Sequence, residues 1–523
     1  MSEETQTQAL DIHGKPFKRG LMVALILVAT FSGMLMQTTL GTALPTLMRD
    51  FNVSLSTAQG ATTWFLLANG IMIPISAYLA MKFPTRWLYI VAYAVLFAGM
   101  ALAWAAPTSE WWVFLAGRIC QAVAVGISMP LMQVVLVNMY PPKQMGAVMG
   151  MMGLVVGLGP AVGPTYAGWI LNANHTILGI TFSDSWRTIF LIPMVLVGIC
   201  WILAWFLIKD VVPNCDMKLD ILSFFEALIG FGVFLWGFTN VATEGWGNFP
   251  KVILPIIIGL IIIVLFGIRQ LRIDQPLIDI RVFKIKQFTI TTILIALAMM
   301  AMMGVEMMLP VYMQNVHSLS PLDAGITLLP GALMMGLVSP FAGRAYDKVG
   351  AKRLSLIGFA ILAIGTVPFM FLTATTPNHF ITVLYGIRMF GISMVFMPLT
   401  SSAMNALPKE ESAYGTAANN TARQVASAVV VALLSSVTQN IITNNTPAHH
   451  LQTTNPMQYA DKMINASLTG FHASFAIGFG FAVLGVLVTF LLRSTHHNAD
   501  TEAAGEAKLQ AEVKAEEVQG GAK

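Results

Sequence analysis

Fourteen stretches of this chain are apolar over a length that crosses a lipid bilayer, and no other feature constrains the fold so tightly. A membrane-spanning helix needs about 20 apolar residues. The stretches fall at 20–43, 60–81, 87–106, 111–136, 146–170, 188–208, 221–241, 252–270, 288–313, 322–342, 353–374, 379–404, 417–440 and 471–492. Two carry polar interruptions: Asn69 in the second, and Asn419, Asn420 and Arg423 in the thirteenth. Lipid cannot satisfy a loose backbone, so spanning segments are helices or closed barrels. The period-2 alternation of a barrel is absent. The 523 residues are 56% hydrophobic and 10% charged, against about 25% charged in soluble domains. A water-soluble fold is excluded, and so is disorder for all but the ends. Cys120, Cys200 and Cys215 give neither a disulfide framework nor a metal-like spacing.

Lysine and arginine set the expected orientation. Residues 1–19 are polar and end in Lys15, Lys18 and Arg19. The apolar run that follows is too long for a signal-peptide core and is read as a first membrane helix rather than a removed leader. With the N-terminus inside, 23 of the 29 Lys and Arg residues fall inside and four outside, at Arg49, Arg187, Lys251 and Lys462. Two lie within spans, Arg118 and Arg388. A missed span would reverse every later loop, so this bias implies an even count with both termini cytoplasmic. The stretch 441–470 is expected as a long outer loop, and the Ala-, Glu- and Lys-rich tail from Ser494 as disorder or a solvated helix.

The chain repeats itself. Pro74 lies twelve residues before Arg86 as Pro340 does before Lys352; Arg118 and Arg388 each open a span that continues with a Gly-Ile-Ser-Met pattern; Pro141 and Pro408 each precede a Gly-bearing helix, at Gly146 and Gly415. The four offsets are 266, 270, 267 and 269 residues. They cover eight helices, so the simplest arrangement is six helices, two inserted ones, then six more. The expected divisions are a cytoplasmic segment 1–19, a six-helix bundle 20–208, the inserted pair with linkers 209–287, a second bundle 288–492 and a tail 493–523. Parallel repeats of this kind are a transporter architecture with its site near the midplane between the halves.

Several motifs carry a family resemblance. The loop Gly343-Arg-Ala-Tyr-Asp347-Lys348-Val-Gly350-Ala-Lys352-Arg353 resembles the signature loop of the major facilitator superfamily. Gly157-Leu-Gly159-Pro160-Ala-Val-Gly163 is similar to the antiporter motif of its drug exporters, and Arg118-Ile-Cys-Gln121 to their fourth-span motif. Pro276-Leu-Ile-Asp279-Ile-Arg281-Val-Phe283, Pro310-Val-Tyr-Met-Gln314 and Trp186-Arg187-Thr-Ile-Phe-Leu resemble the fourteen-helix drug:proton antiporter branch. The resemblance covers about residues 20 to 492. It implies an all-α integral membrane protein with the major facilitator fold: 14 transmembrane helices (6 + 2 + 6) in two pseudo-symmetric bundles, both termini cytoplasmic. It also implies export of hydrophobic or cationic compounds driven by proton entry. Two departures stand out. Met36 holds the position where span 1 of that branch carries an acidic residue, and the first-half loop has Met81 and Pro84 where the motif has Asp and Gly.

Ionisable residues inside spans are costly, roughly 2.5–3.5 kcal/mol at the centre on insertion scales, and mark function. Glu226, Glu306, Arg118 and Arg388 are such residues. The resemblance makes spans 1, 4, 9 and 12 line the cavity, and the last three of these residues fall on them. Burial penalises the charged form of a carboxyl, and an approaching guanidinium favours it. Glu306 is therefore expected to couple protons together with Arg118. The alternatives are a neutral Glu306 that only holds packing together and an Arg118 that snorkels to the headgroups. Glu226, on an inserted helix, is read as structural. The expected cavity wall comprises Gln37, Gln121, Ser128, Met299, Met303 and Arg388; thioethers suit varied apolar cargo. In the loop, Gly343 and Gly350 are expected to permit a tight turn, with Asp347, Lys348 and Lys352 switching conformations. Gly157, Gly159 and Gly163, with Pro160, are expected to form a close sliding contact between halves.

No phosphate-binding loop, zinc motif or catalytic triad is present in the sequence. The expectation is a plasma-membrane exporter of drugs or toxic metabolites by proton antiport and rocker-switch alternating access. It has small molecules, protons and membrane lipid as partners, no nucleic acid, no cofactor, no metal, and a monomer as the simplest assembly. A facilitator-fold transporter of a specific lipid, peptide or metabolite is the alternative. A membrane receptor or membrane-embedded enzyme is disfavoured, because no soluble domain and no cluster of His, Asp or Ser at one membrane face is visible.

Overall fold

A computed structural model of the chain describes residues 9–12, 14–140, 155, 159, 162–177, 180–212, 220–273, 276, 279–407, 412–447 and 454–492. The first part contains α1 (Arg19–Thr38), α2 (Leu40–Phe51), α3 (Leu55–Lys82), α4 (Thr85–Ala105), α5 (Trp111–Met139), a helical segment at 162–172 and α6 (Thr188–Leu207). Next come α7 (Ile221–Glu244) and α8 (Leu254–Arg272). The last part contains α9 (Lys286–Asn315), α10 (Pro321–Val349), α11 (Ala351–Thr366), α12 (Asn378–Asn405), α13 (Ser412–Asn444) and α14 (Pro456–Thr489). Two short hairpins pair Ala9–Leu10 with Pro16–Phe17 and His175–Ile177 with Ile180–Phe182.

Twelve helical segments among the described residues are long and apolar enough to cross a membrane. The expected span 60–81 forms the 28-residue α3, but its Gln59, Thr62, Thr63, Asn69 and Ser76 are buried. Their polar groups face protein rather than lipid. The expected span 146–170 lies mostly outside the described residues, as does the tail 493–523.

Helix ends depart from the apolar stretches where capping or proline decides. Span 1 is interrupted at Thr39 between α1 and α2, and α2 continues through Pro45 to Phe51. The span expected at 353–374 ends as α-helix at Thr366 and tightens into a 3₁₀ turn, Val367–Phe371, that contains Pro368. The outer loop expected at 441–470 is shorter, because α13 runs to Asn444 and α14 starts at Pro456. Asn455 accepts from the Gln458 amide at 3.1 Å and Pro456 occupies the first helical position, which is a strong helix start whatever the hydropathy.

The helices recur. Those starting at Arg19, Leu55, Thr85, Trp111 and Thr188 are followed 266 to 268 residues later by those starting at Lys286, Pro321, Ala351, Asn378 and Pro456. In the first half α5 packs on α3 and α4; in the second α12 packs on α10 and α11. One apolar cluster fills the first half; the second fills the other half and continues across the seam to Leu44, Leu55, Leu66 and Ile71. Phe51, Trp111, Phe114, Trp186 and Phe190 interlock at one end of the first, and the Arg187 guanidinium covers the Trp186 ring and donates to the Ala106 carbonyl at 2.8 Å.

The halves meet along α3 and α13. The pair α7–α8 lies outside this seam, with α7 against both helices and the Ser436 hydroxyl donating to the Phe238 carbonyl at 2.7 Å. At the start of α7 the Asp220 carboxylate accepts from Arg269 at 2.7 and 3.0 Å and from the Ser223 hydroxyl at 2.5 Å. The Arg269 hydrogen bonds hold Asp220 below the usual carboxylate range.

Further contacts between the halves cluster at the end of the bundle where α3 and α10 begin. Gln314 donates to the Thr42 carbonyl at 2.8 Å, Thr165 to the Gly325 carbonyl at 3.0 Å, and the Leu55 amide to Gln439 at 3.0 Å. Gly168 lies so close to Pro321 that a Cβ would sit 2.3 Å from its carbonyl oxygen.

Candidate functional site

Two arginines lie inside the apolar bundles, each 0% exposed. Arg118 on α5 donates through Nη2 to the Met36 carbonyl at 2.8 Å and through Nη1 to the Gln121 side chain at 2.6 Å. Gln121 in turn donates to the Gly99 carbonyl on α4 at 3.0 Å. Gly99 is a glycine because α4 and α5 touch there: a Cβ would sit 2.8 Å from the Gln121 backbone nitrogen. Arg388 on α12 donates through Nη2 to the Ala301 carbonyl on α9 at 2.8 Å and through Nε to the Thr366 hydroxyl on α11 at 2.9 Å. Aromatic faces help carry each charge: Phe65 lies 4.4 Å from Arg118, and Phe369 lies 5.6 Å from Arg388. Each arginine thus ties together the first, third and fourth helices of its half. Carbonyl and hydroxyl dipoles supply the compensation that a charge out of water requires.

The two sites differ in one group. Glu306 lies on α9, in the half of Arg388, and is 5% exposed. Among the described residues no hydrogen bond or ion pair reaches its carboxyl. Arg388 and Tyr385, one turn apart on α12, lie within electrostatic reach of it. Arg118 makes its contacts in the other half, so Glu306 shares its half and its electrostatic surroundings with Arg388 and not with Arg118. Four residues beyond Glu306, Pro310 has no N–H to give the Glu306 carbonyl, so the helical ladder is open beside the carboxyl. The adjacent Met307 packs on Gly41 of α2, with its sulfur 3.5 Å from where a Cβ would be.

The remaining expected residues separate into groups. Met299 and Met303 are buried on α9. Gln37 is buried on α1, and Gly33 beside it admits Val125 of α5. The Ser128 hydroxyl donates to the Ala124 carbonyl of its own helix at 2.8 Å. Gly159 and Gly163 face α1 of the same half, where a Cβ would meet Met34 at 2.7 Å and the Thr38 hydroxyl at 2.4 Å. The contact with the other half falls one turn later, at Thr165 and Gly168. Gly157 and Pro160 lie outside the described residues. In the loop, Gly343 lies inside α10 with open space about it, and the turn falls to Gly350, whose φ of +82° favours glycine. Lys352 donates to the Phe490 carbonyl at 2.9 Å and Lys348 is exposed. The side chain of Asp347 lies outside the described residues.

Sequence reasoning passed over Tyr385 and the stripe on α3. Both amide atoms of Gln59 and of Asn69 are buried without a partner among the described residues. The signal was available: Thr62, Asn69 and Ser76 recur every seven residues on one face of an otherwise apolar helix. No group of three His, Cys, Asp or Glu able to hold a metal occurs among the described residues.

Two helical bundles of matching order, each with a buried arginine tied to its first helix, define a membrane transporter built from two related halves. The chain belongs to the Major Facilitator Superfamily, whose sequence profile matches residues 26–431. It is 40% identical to the MFS-type transporter YcnB of Bacillus subtilis (strain 168), over 94% of this chain and 99% of that protein. It is 34% identical to the lincomycin resistance protein LmrB of Listeria innocua, over 90% and 96% respectively. The fold is also that of a bacterial homologue of the human lysosomal transporter Spinster in an inward-facing, occupied conformation. The TM-score is 0.63 at 13% identity, covering 91% of this chain and 97% of that one. The protein is accordingly a multi-pass transporter of the plasma membrane, not an enzyme, and its cargo is a small molecule.

Proposed function

We propose that this transporter exports hydrophobic or amphipathic compounds, drugs and toxic metabolites among them, in exchange for protons. Relatives named for lincomycin and multidrug resistance support the substrate class. The observation that carries the mechanism is Glu306: a carboxyl nearly out of water, without a hydrogen bond among the described residues, on the first helix of the second half and within electrostatic reach of Arg388. A group so held changes charge readily when its surroundings open to water or close. In this reading Glu306 loads and releases the proton with Arg388 as its counter-charge, Arg118 braces the first half, and Gln37, Gln121, Ser128, Met299 and Met303 shape the substrate path.

The architecture proposed is fourteen helices, as 20–208, the inserted pair within 209–287, and 288–492, with 1–19 and 493–523 cytoplasmic. The end where the halves meet, near Thr42, Gly168 and Gln314, is then the outer end, and this conformation is closed to the outside. The halves rock about the α3–α13 seam, working as a monomer in lipid. Gly343, Asp347, Lys348, Gly350 and Lys352 form the inner switch, and Gly159 and Gly163, of the motif that also holds Gly157 and Pro160, pack against α1.

Proteoliposomes with an imposed pH gradient test the reading. Wild-type protein is expected to concentrate an amphipathic dye only while the gradient lasts, and Glu306→Gln to bind dye without concentrating it. Full proton-dependent accumulation by Glu306→Gln removes Glu306 from the mechanism.

A further inference from the structure

Hydrogen bonds along the α3–α13 seam are made at some positions and left open at others. The Leu55 amide donates to Gln439 at 3.0 Å, and the Thr421 hydroxyl to the Gly70 carbonyl at 3.2 Å. These two bonds clamp the helices together at residues 55 and 70 of α3. Between the clamps lie Gln59, Thr62 and Asn69 of α3 and Gln424 of α13, each at most 2% exposed. Among the described residues, both amide atoms of Gln59 and of Asn69, the Thr62 hydroxyl and the Gln424 Oε1 have no partner. Folded proteins pair the large majority of such groups, because a buried polar atom left alone has lost its water for nothing. A run of unpaired groups inside a seam that elsewhere pairs its polar atoms marks a place where another molecule completes the bonds.

The open groups share one side of α3. Gln59, Thr62, Leu66 and Asn69 follow at spacings of 3, 4 and 3 residues, which places them on a single helical face. Leu66 belongs to the apolar cluster of the second half, so this face looks across the seam. Next to Asn69, a Cβ on Gly70 would sit 2.9 Å from the Gln424 Cβ. The backbone of Asn69 also touches α5, where a Cβ on Gly126 would sit 2.9 Å from the Asn69 carbonyl oxygen. Asn69 therefore stands where α3, α5 and α13 come together, near the middle of α3. From there the strip runs ten residues back to Gln59, about 15 Å along the helix. Past the inner clamp it ends, because the Ser76 hydroxyl donates to the Ile73 carbonyl of its own helix at 2.7 Å.

The chemistry of the strip is specific. A side-chain amide offers donors and an acceptor together, and a hydroxyl offers both. Neither α3 nor α13 contains an acidic residue, and Arg423 adjoins Gln424. Nothing on the strip attracts a cation. Its match is an uncharged group that gives and takes hydrogen bonds, a hydroxyl or an amide.

We propose that Gln59, Thr62, Asn69 and Gln424 form a recognition strip for the uncharged polar groups of the cargo, which makes neutral amphiphiles bearing hydroxyls or amides a preferred substrate class. The proposal rests on the export reading and specifies its substrates. When the halves rock and the seam parts, the strip bonds the polar groups of the cargo. A cargo without such groups leaves the amides unpaired and gains nothing from them, the asymmetry by which a polar site rejects an apolar analogue.

The test is equilibrium binding to the purified full chain in lipid nanodiscs with two radiolabelled probes. Chloramphenicol is uncharged and carries hydroxyl and amide groups; tetraphenylphosphonium is a cation with no hydrogen-bonding atom. Asn69→Leu and Gln424→Met keep the size of the side chain and remove its amide. Each is expected to weaken chloramphenicol binding by about five- to tenfold, the change that one lost hydrogen bond produces, and to leave tetraphenylphosphonium binding unchanged. Melting temperatures without probe are expected not to fall, because an unpaired amide gives way to an apolar group of similar shape. Unchanged chloramphenicol affinity in both variants, an equal loss for both probes, or a lower melting temperature in both variants, the mark of amides that hold the fold through trapped water, overturns the proposal. If one variant is not monodisperse on gel filtration, the other decides alone. Binding needs no proton gradient, so the outcomes separate. Wild-type protein that binds neither probe removes the export reading and the strip with it, whereas wild-type protein that binds tetraphenylphosphonium and not chloramphenicol removes the strip alone.

Discussion

Arg118 and Arg388 stand 270 residues apart and make the same bond: each Nη2 donates at 2.8 Å to a backbone carbonyl on the first helix of its own half. The lateral partner differs. Arg118 reaches α4 through Gln121, whereas Arg388 reaches α11 directly through Thr366. Duplication accounts for the shared bond, and the presence of Glu306 in one half only separates the two roles.

That separation is measurable. Arg118→Gln and Arg388→Gln each remove charge-assisted bonds worth about 1.5–3 kcal/mol apiece, so both are expected to lower the melting temperature of the detergent-solubilised protein. Arg388→Gln is also expected to change the pH profile of dye transport, because it removes a cation within electrostatic reach of Glu306. Arg118→Gln should leave the profile in place. Identical profiles in both variants would show that Glu306 does not respond to Arg388.

Where the two halves meet at the end of the bundle, the proposed outer gate, their backbones touch at Gly168. A methyl group there meets the Pro321 carbonyl oxygen at 2.3 Å, too close for any rotamer to relieve because the atom is backbone. Alanine suits a helix better than glycine, so Gly168→Ala is expected to fold. It is also expected to shift the population toward outward-open forms. Faster labelling of a cysteine placed at Thr42 from the outside is the readout; unchanged labelling would mean that the gate closes elsewhere.

How much of this was legible in the sequence depends on which force decides each feature. Lipid enforces long apolar runs, so the spans are visible; a charge inside such a run is conspicuous, so Arg118, Glu306 and Arg388 stand out. Which arginine meets Glu306 depends on how α9 and α12 cross, and nothing local to either helix records it. The polar stripe of α3 reads as a weak span because hydropathy does not distinguish a residue facing lipid from one facing protein. The polar start of α14 reads as loop because its capping by Asn455 lies outside any apolar run. Gly159 and Gly163 signal close packing correctly, but their partner, α1 rather than the opposite half, is a tertiary fact.

The inserted helices are fastened by Asp220 and Arg269, and this gives a pH dependence of known sign. The Asp220 carboxyl ionises below its ordinary value of 3.8 because Arg269 hydrogen-bonds its charged form. A carboxyl whose folded value is depressed stabilises the fold above the unfolded value and loses that contribution as pH falls through the folded one. Hydrogen-exchange protection in α7 and α8, taken relative to the intrinsic rate at each pH, is therefore expected to be flat from pH 7 to 5 and to fall below about pH 4. Asp220→Asn should exchange faster at neutral pH and converge with wild type in acid. A constant difference between them across that range would rule out ionisation of Asp220 as the fastening.

Pro310 offers a test of whether the open ladder beside Glu306 serves transport or is tolerated. Proline in a helix interior is about 3 kcal/mol less favourable than alanine, through the missing N–H and the clash with the carbonyl four residues back. That carbonyl belongs to Glu306. Pro310→Ala lets residue 310 bond it, closing the hydrogen-bond ladder one turn beyond the carboxyl. The variant is expected to melt higher than wild type yet to concentrate dye at least several-fold more slowly, the trade expected where function depends on a less stable segment. A variant with both higher stability and full transport would mean that the open ladder plays no part in moving the proton group between the two sides.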